Sequence, residues 1–413
     1  MNFPAQVDLE TEPMRNPVTK LRTEQIQGLE TIDVLHEWEE GKAGLYVDIV
    51  KYKEKKGVLF YCFNPPVHQM GNPALDAYLA AFDKLRNRLE GLSFLVLDGP
   101  ADPVHAGGDL KESLKRLEAT REKAAELKAK GARPEEIDAL YNWADARLKK
   151  GFALYEAMRD AGKSLRTIAV CSGGTRFGGS AEVPLMADIL VGDSRSAMCF
   201  SESQIGLIPG WGGVGRAITK AGAANAKNMA MTCPVVSAND LARVGIYDLV
   251  VPINEPLPRM SREGTKEEIK ALYIKDLQEN NLNTAKKMLP VALDAAVSDD
   301  VPKKPERVIL KSEKDLRDEV ARRQNPETYK HLWGKHLKEV KKELAELGKP
   351  LAPQSIVALE ELFENTDMKS FDERDFILRE VEADARIYRD PRLSEGILAT
   401  LEQRIANYTE ANS

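Results

Sequence analysis

Cysteine is scarce in this chain of 413 residues: the four present, Cys62, Cys171, Cys199 and Cys233, are far apart and form no C-x-x-C pair. That spacing argues against a disulfide framework and against a zinc knuckle, so buried free thiols are expected, and no metal is. A basic surplus is lacking too. Lys plus Arg number 59 against 65 Asp plus Glu, for a net charge of −6, which argues against a generic binder of nucleic acid or of anionic membranes. No apolar run approaches the roughly 20 residues that cross a bilayer. The N-terminal stretch MNFPAQVDLETEP has neither a basic start nor an apolar segment, so a cytoplasmic location is expected. What is present is 43% apolar and 30% charged residues with only 6% aromatics, the composition of a helix-rich globular protein. The length suits two or three domain-sized units, or one large α/β domain with additions.

Residues 1–43 are polar without sustained period and are expected to form an N-terminal arm with no chemistry. From Gly44 the pattern changes. LYVDIVKY (45–52) and VLFYCF (58–63) are β-rich and flank the charged turn KEKKG, which predicts a hairpin at the start of a sheet. Asn72-Pro73 is followed by Leu75, Tyr78, Leu79, Phe82, Leu85 and Leu89, with Gly91 beyond, a helical stripe with start and stop signals. LSFLVLDG (92–99) then reads as a buried parallel strand. Residues 111–160 are charged and helical, broken once at Gly131–Pro134. RTIAVC (166–171), ADILVGD (187–193) and DLVVP (248–252) are strand-like, with a glycine-rich segment opening a helix after the first. Strands and helices alternating over 44–252 indicate an α/β core with its ligand site at strand C-termini. Residues 253–350 read as a large, charged helical insertion and 351–413 as a C-terminal helical region.

Four segments place glycine or a carboxylate where a strand hands over to a helix: His105-Ala-Gly-Gly-Asp109, Gly174-Thr-Arg-Phe-Gly-Gly-Ser-Ala-Glu182, Phe200-Ser-Glu202 and Gly206-Leu-Ile-Pro-Gly-Trp-Gly-Gly213. Glycine permits close backbone approach, and helix starts present unpaired N–H groups, so two such turns can aim two donors at one oxygen. Each alone is equally an ordinary strand-to-helix turn. Gly210-Trp-Gly-Gly-Val-Gly215 also satisfies G-x-G-x-x-G, but it follows Ile208-Pro209 in a loop and no acidic residue stands near position 231, so it is not read as a dinucleotide site. The mixed charges of 303–345, with few aromatics, read as a solvated helical face. His331 and His336 have the wrong spacing for helical metal ligands.

In order and spacing these segments resemble the crotonase, or enoyl-CoA hydratase/isomerase, superfamily. HAGGDLKE (105–112) is similar to S-A-G-A-D-L-K-E, GTRFGGSAEVPLMADI (174–189) to G-Y-A-L-G-G-G-C-E-L-A-L-A-C-D-I, and FSESQIGLIPGWGG (200–213) to Q-P-E-x-x-L-G-I-I-P-G-A-G-G. Asn64-Pro-Pro, VSANDLARVGIYDLVVP (236–252) and ARIYRDPRLSEGILATLEQR (385–404) resemble further family segments, so that 44–252 and 353–407 are covered. The resemblance implies the ClpP-like crotonase fold, with repeated ββα units and a C-terminal helical region. It implies that the N–H groups of Gly108 and Gly179 form an oxyanion hole for a thioester carbonyl and that Glu182 and Glu202 are the acid/base pair. It places His105, Ala106, Asp109, Arg176 and Trp211 at the substrate. It also implies an acyl-CoA partner with no further cofactor, and a homotrimer or hexamer. Arg176 and Trp211 stand where the family has alanine, and the segments after Asp109 and after Pro252 are longer than usual, so a ring or a second carboxylate on the acyl group is allowed for.

The chemistry follows from the thioester. Conjugation makes Cβ electrophilic, and the barrier lies in enolate charge developing on the carbonyl oxygen, where one donor is typically worth about 3–4 kcal/mol. Two carboxylates in different protonation states can hold a water, one taking its proton as it adds to Cβ and the other protonating Cα. Hydration of a 2-enoyl-CoA is the leading expectation. Carbon–carbon hydrolysis of a cyclic β-keto acyl-CoA and double-bond isomerisation share the enolate. A non-catalytic binding protein is disfavoured by the two glutamates and the acidic charge.

Overall fold

The hairpin expected at 45–63 is present, but a strand precedes it. The structure, a computed structural model, describes residues 26–261, 263–300 and 306–409. Of the arm expected over 1–43, residues 1–25 lie outside the described residues. The remainder forms β1 (Leu29–Glu40), antiparallel to β2 (Ala43–Tyr52), which pairs with β3 (Lys55–Phe63). The reading of residues 29–40 as arm is thereby corrected. Two register shifts, between Thr31 and Asp33 and between Val34 and His36, break the alternation that marks a strand, and Glu30–Val34 are all exposed. A bulged strand with one wet face has no period of two to be recognised.

From β3 the chain turns parallel. Helix α1 (Asn72–Arg86) buries Leu75, Tyr78, Phe82 and Leu85, as the stripe predicts. It leads to β4 (Leu92–Asp98) and the two-residue β5 (Val104–His105). The charged segment forms α2 (Leu110–Ala129), α3 (Pro134–Asp138) and α4 (Asn142–Gly162). Then come β6 (Arg166–Cys171), β7 (Thr175–Phe177), α5 (Gly179–Leu185), β8 (Ile189–Asp193) and β9 (Ala197–Cys199). After them follow α6 (Gly213–Ala221), α7 (Ala223–Thr232), β10 (Val236–Ser237), α8 (Ala238–Arg243) and β11 (Leu249–Val251). The strands make a seven-stranded sheet, β1-β2-β3-β4-β6-β8-β11, and a small four-stranded one, β10-β9-β7-β5. In the second sheet β5, β7 and β9 are the short strands that follow β4, β6 and β8, in line with the repeated units that the resemblance implies, and β10 adds to β9 in antiparallel fashion.

Both faces of the large sheet are covered. In β4, Leu95 and Leu97 point into the cluster built by α1 and α4, while Phe94 and Val96 point to the other side. That other side is covered by α9 (Lys266–Val297), through Met288, Leu289, Ala292, Leu293 and Ala296. Part of the segment read as an insertion is therefore core, and continuous apolar strands such as β4 are what a sheet buried on two faces demands. The remaining helices are α10 (Glu313–Gln324), α11 (Pro326–Tyr329), α12 (Lys341–Leu347), α13 (Pro353–Glu364), α14 (Glu373–Ile387) and α15 (Arg392–Leu401). The charged run around α10 is not wholly a solvated face: Arg323 is buried and donates to the carbonyl of Thr232 at 2.6 Å. Leu293→Ala should lower the unfolding free energy by about 2–5 kcal/mol in urea titration. Leu272→Ala, an exposed position on the same helix, is the control, and equal losses would show that α9 is not part of the core.

Candidate active site

The small sheet sets the geometry. Val104 pairs with Thr175 and His105 with Arg176 in parallel register, so the loops that leave β5 and β7 run side by side. They touch: a Cβ on Gly107 would lie 3.0 Å from the carbonyl oxygen of Phe177 and 3.3 Å from the amide nitrogen of Gly179, so any side chain there would crowd the facing backbone. The Ser180 hydroxyl stitches the loops together by donating to the carbonyls of Ala106 and His68. Gly108 directly precedes Asp109, which caps α2 by accepting the amides of Lys111 and Glu112 at 3.0 Å each. Gly179 is the first residue of α5. Neither the N–H of Gly108 nor that of Gly179 finds an acceptor among the described residues.

The two glutamates flank these amides. Glu182 stands within α5, and its carboxylate accepts the amides of Trp211 and Gly213, each at 2.9 Å. Glu202 opens a short 3-10 turn after β9. Its Oε1 would lie 2.5 Å from a Cβ on Gly178, so this carboxyl packs on the residue next to Gly179, and its Oε2 is buried without a hydrogen-bond partner. Burial pushes Glu182 up to about 7, against the pull of the backbone amides that it accepts. Burial, and after it the charge of Glu182, holds Glu202 well above the ordinary carboxylate range. Near neutrality one carboxyl is poised to take a proton and the other keeps one, which is how a site assigns base and acid to two like groups.

Two more carboxyls belong to this cluster and were missed from sequence. Glu380 and Asp384 lie one turn apart on α14. Glu380 accepts the amides of Val214 at 3.3 Å and Gly215 at 3.0 Å, and Asp384 accepts that of Ile208 at 3.1 Å. Burial first, and the charge of Glu182 among the further causes, drives Glu380 well above its usual range and Asp384 up to about 8. The signal was in the helix pattern: Phe376, Ile377, Glu380, Val381, Asp384 and Ile387 are all buried, so two acids sit on the apolar stripe. The amides of the G-x-G-x-x-G segment at 211, 213, 214 and 215 are all taken by Glu182 and Glu380, which leaves them unavailable to a phosphate.

The other residues marked from sequence fall in two places. Trp211 joins the site: a Cβ on Gly179 would lie 2.3 Å from its indole ring and one on Gly151 2.1 Å from it. Ala106 borders the glycine loop, with its amide donating to the carbonyl of Val67, and one oxygen of Asp109 is engaged as a helix cap. His105 and Arg176 instead line a cavity of about 60 Å³ with His68, Asp98, Tyr78 and Ser180, and neither Glu182 nor Glu202 contributes to its wall. There Arg176 donates to the carbonyl of Ser172 at 3.0 Å, while its Nε and the Nε2 of His105 have no partner. Burial, with the charge of Arg176 next, keeps the His105 imidazole neutral by pushing its pKa well down.

Comparison with known proteins is in keeping with this geometry. A family model described as enoyl-CoA hydratase/isomerase matches residues 129–296. A crotonyl-CoA hydratase of Syntrophomonas wolfei is 25% identical over 219 residues, 52% of this chain and 74% of that protein. A probable mitochondrial enoyl-CoA hydratase of Dictyostelium discoideum is 28% identical over 107 residues, 26% of this chain and 39% of that one. An enoyl-CoA hydratase structure from Rhodobacter sphaeroides superposes with a TM-score of 0.52 at 14% identity, covering 91% of this chain and 89% of that chain.

The four buried carboxyls make a linkage prediction. Each has its pKa raised by folding, so the native state binds more protons than the unfolded chain and stability falls as pH rises from the ordinary carboxylate range through the raised values, about 7 for Glu182 and about 8 for Asp384. Glu380→Gln removes one such group. Its denaturation midpoint should gain on that of the parent protein as pH rises through this window, and a constant difference at all pH values would show that Glu380 does not titrate as described.

Proposed function

The chain belongs to the crotonase, or enoyl-CoA hydratase/isomerase, superfamily and has its fold, and from that premise we propose that it hydrates a 2-enoyl-CoA. What carries the reading is Glu202 packed on Gly178 and Glu182 in the helix that Gly179 opens, both dry, with the amides of Gly108 and Gly179 left without an acceptor among the described residues. In this scheme the thioester oxygen accepts those two amides. Glu182 takes a proton from water as the water oxygen bonds to Cβ, electron density moves to the carbonyl oxygen, and Glu202 delivers its proton to Cα. Glu182 is the base because two backbone amides hold its anion, while Glu202 has an oxygen with no partner and gains by staying neutral. Coenzyme A enters as part of the substrate, and the reading calls for no further cofactor. By analogy with the family, a homotrimer or a pair of trimers is the assembly to look for.

The cavity around His105 and Arg176 favours a polar or ring-bearing acyl group as a second element of the reading, since an arginine with an unpaired buried Nε offers a partner to a carboxylate or ketone. It also leaves room for hydrolysis of a cyclic β-keto acyl-CoA, in which the same hole accepts the departing enolate. Incubation with linear, cyclic and dicarboxylic acyl-CoAs separates these by mass and connectivity. Hydration adds one water to an intact chain or ring; ring hydrolysis adds one water and creates a new carboxylate; isomerisation leaves the mass unchanged. Glu182→Gln and Glu202→Gln should each lower turnover by at least about a hundredfold with acyl-CoA binding retained by calorimetry. A near-normal rate in either variant removes that residue from the mechanism. Arg176→Ala should impair dicarboxylic members selectively, and an equal loss across the panel would count against its role in selecting the acyl group.

A further inference from the structure

Resting on the acyl-CoA reading above, we propose that Arg147 is a catalytic residue of this site, the cation that shares with the Gly108 and Gly179 amides the negative charge arising on the thioester oxygen. Arg147 belongs to α4, in none of the motifs that mark the site, yet its guanidinium lies on the hole. A Cβ on Gly108 would fall 2.0 Å from its Nη2, so the absence of a side chain at 108 is what admits it. Its Nη1 donates to the Ser113 hydroxyl at 2.8 Å, and Ser113 in turn donates to the carbonyl of Asp109 at 2.7 Å, which ties the guanidinium to the loop that carries Gly108. Its carbon lies 5.8 Å from the centroid of the Trp211 ring, and Trp211 is itself wedged between Gly179 and Gly151. Glycines at 108, 151 and 179 thus clear the space for one stacked pair, guanidinium on indole, that spans both halves of the hole.

The charge is also uncommitted. Among the described residues Arg147 makes no ion pair, although Glu182 and Asp384 both feel its field, and the Nη2 against Gly108 makes no hydrogen bond. A cation kept only to neutralise buried acids would be drawn into contact with one of them. Here it is held off them by Ser113 and Trp211 and turned toward the glycine whose amide awaits an anion. When the O–H bond of water breaks toward Glu182 and the new O–Cβ bond pushes an electron pair onto the carbonyl oxygen, a guanidinium at that place offsets the charge until Glu202 returns a proton to Cα.

Acetoacetyl-CoA is the probe, because its β-keto thioester ionises to an enolate with its own ultraviolet band. The parent protein should bind it and raise that band at a pH where the free thioester is in the keto form. Arg147→Met should bind it within severalfold but lose the band, and Arg147→Lys should recover part of it. Turnover of the accepted 2-enoyl-CoA by Arg147→Met should fall by about a hundredfold or more. The acid limb of its pH profile should move to higher pH, since Glu182, faced by Glu202, Glu380 and Asp384, would lose the lowering pull of the Arg147 cation. Gly108→Ala, whose methyl displaces the guanidinium, should change band and limb in the same direction, and the double variant should be no worse than Arg147→Met. An undiminished band in Arg147→Met, additive losses in the double variant, or binding by the parent protein with no enolate band would each overturn the role of Arg147 and leave the acyl-CoA reading standing. Failure of the parent protein to bind acyl-CoA at all would overturn that reading itself.

Discussion

Two pairs of residues, Val104 with Thr175 and His105 with Arg176, hold the candidate site in place. Their parallel pairing is too short to contribute much stability, but it brings two loops from separate repeats into van der Waals contact, close enough that a side chain on Gly107 would crowd the facing backbone. Everything functional is built outward from that seam. Gly108 leads into α2 and Gly179 into α5, Glu182 follows on the latter, and β9, bonded to β7 on its other side, delivers Glu202. A site assembled at the ends of hydrogen-bonded strands inherits their precision, which matters when donors must meet an oxygen to within a fraction of an ångström.

The second constraint is electrostatic. Glu182, Glu202, Glu380 and Asp384 are all nearly inaccessible to water, an arrangement that desolvation penalises heavily for every charge it creates. The fold tolerates it because the loop before α6 and the first turn of that helix need acceptors for amides that no backbone carbonyl serves, and the carboxyls of Glu182, Glu380 and Asp384 supply them. The same bonds that satisfy the helix start hold Glu182, the proposed base, in place. Structural and chemical demands are therefore met by one set of contacts, so replacing these acids with apolar residues would leave amides unsatisfied as well as remove charge.

Much of this was legible in the sequence. Strands β2, β3, β4, β6, β8 and β11, helix α1, the glycine turns and the positions of both glutamates could be read from alternation, caps and motif order, because each is encoded within about twenty consecutive residues, whereas the two- and three-residue strands β5 and β7 are too short to show a period. What escaped depends on contacts far apart in the chain. Strand β1 hides behind its bulges. The apolar half of α9 is diluted by a charged, exposed first half. Glu380 and Asp384 look like the surface acids of any helix until the stripe they share with Phe376 and Ile377 is found to be buried. Arg147 has no local signature at all; only the glycine across from it, 39 positions earlier in the numbering, marks where it goes. His105 and Arg176 stood out in the sequence, and their side chains line a cavity to whose wall Glu182 and Glu202 do not contribute.

The bulged strand β1 has a consequence for how copies of this protein meet. It is one rim of the seven-stranded sheet, where unpaired amides and carbonyls invite another chain to add on. Its outward residues include Glu30, Asp33, Glu37, Glu39 and Glu40, and a second molecule approaching rim to rim would bring like charges together along a kinked, strongly twisted ribbon. The irregularity that concealed the strand thus also works against self-templating through that edge.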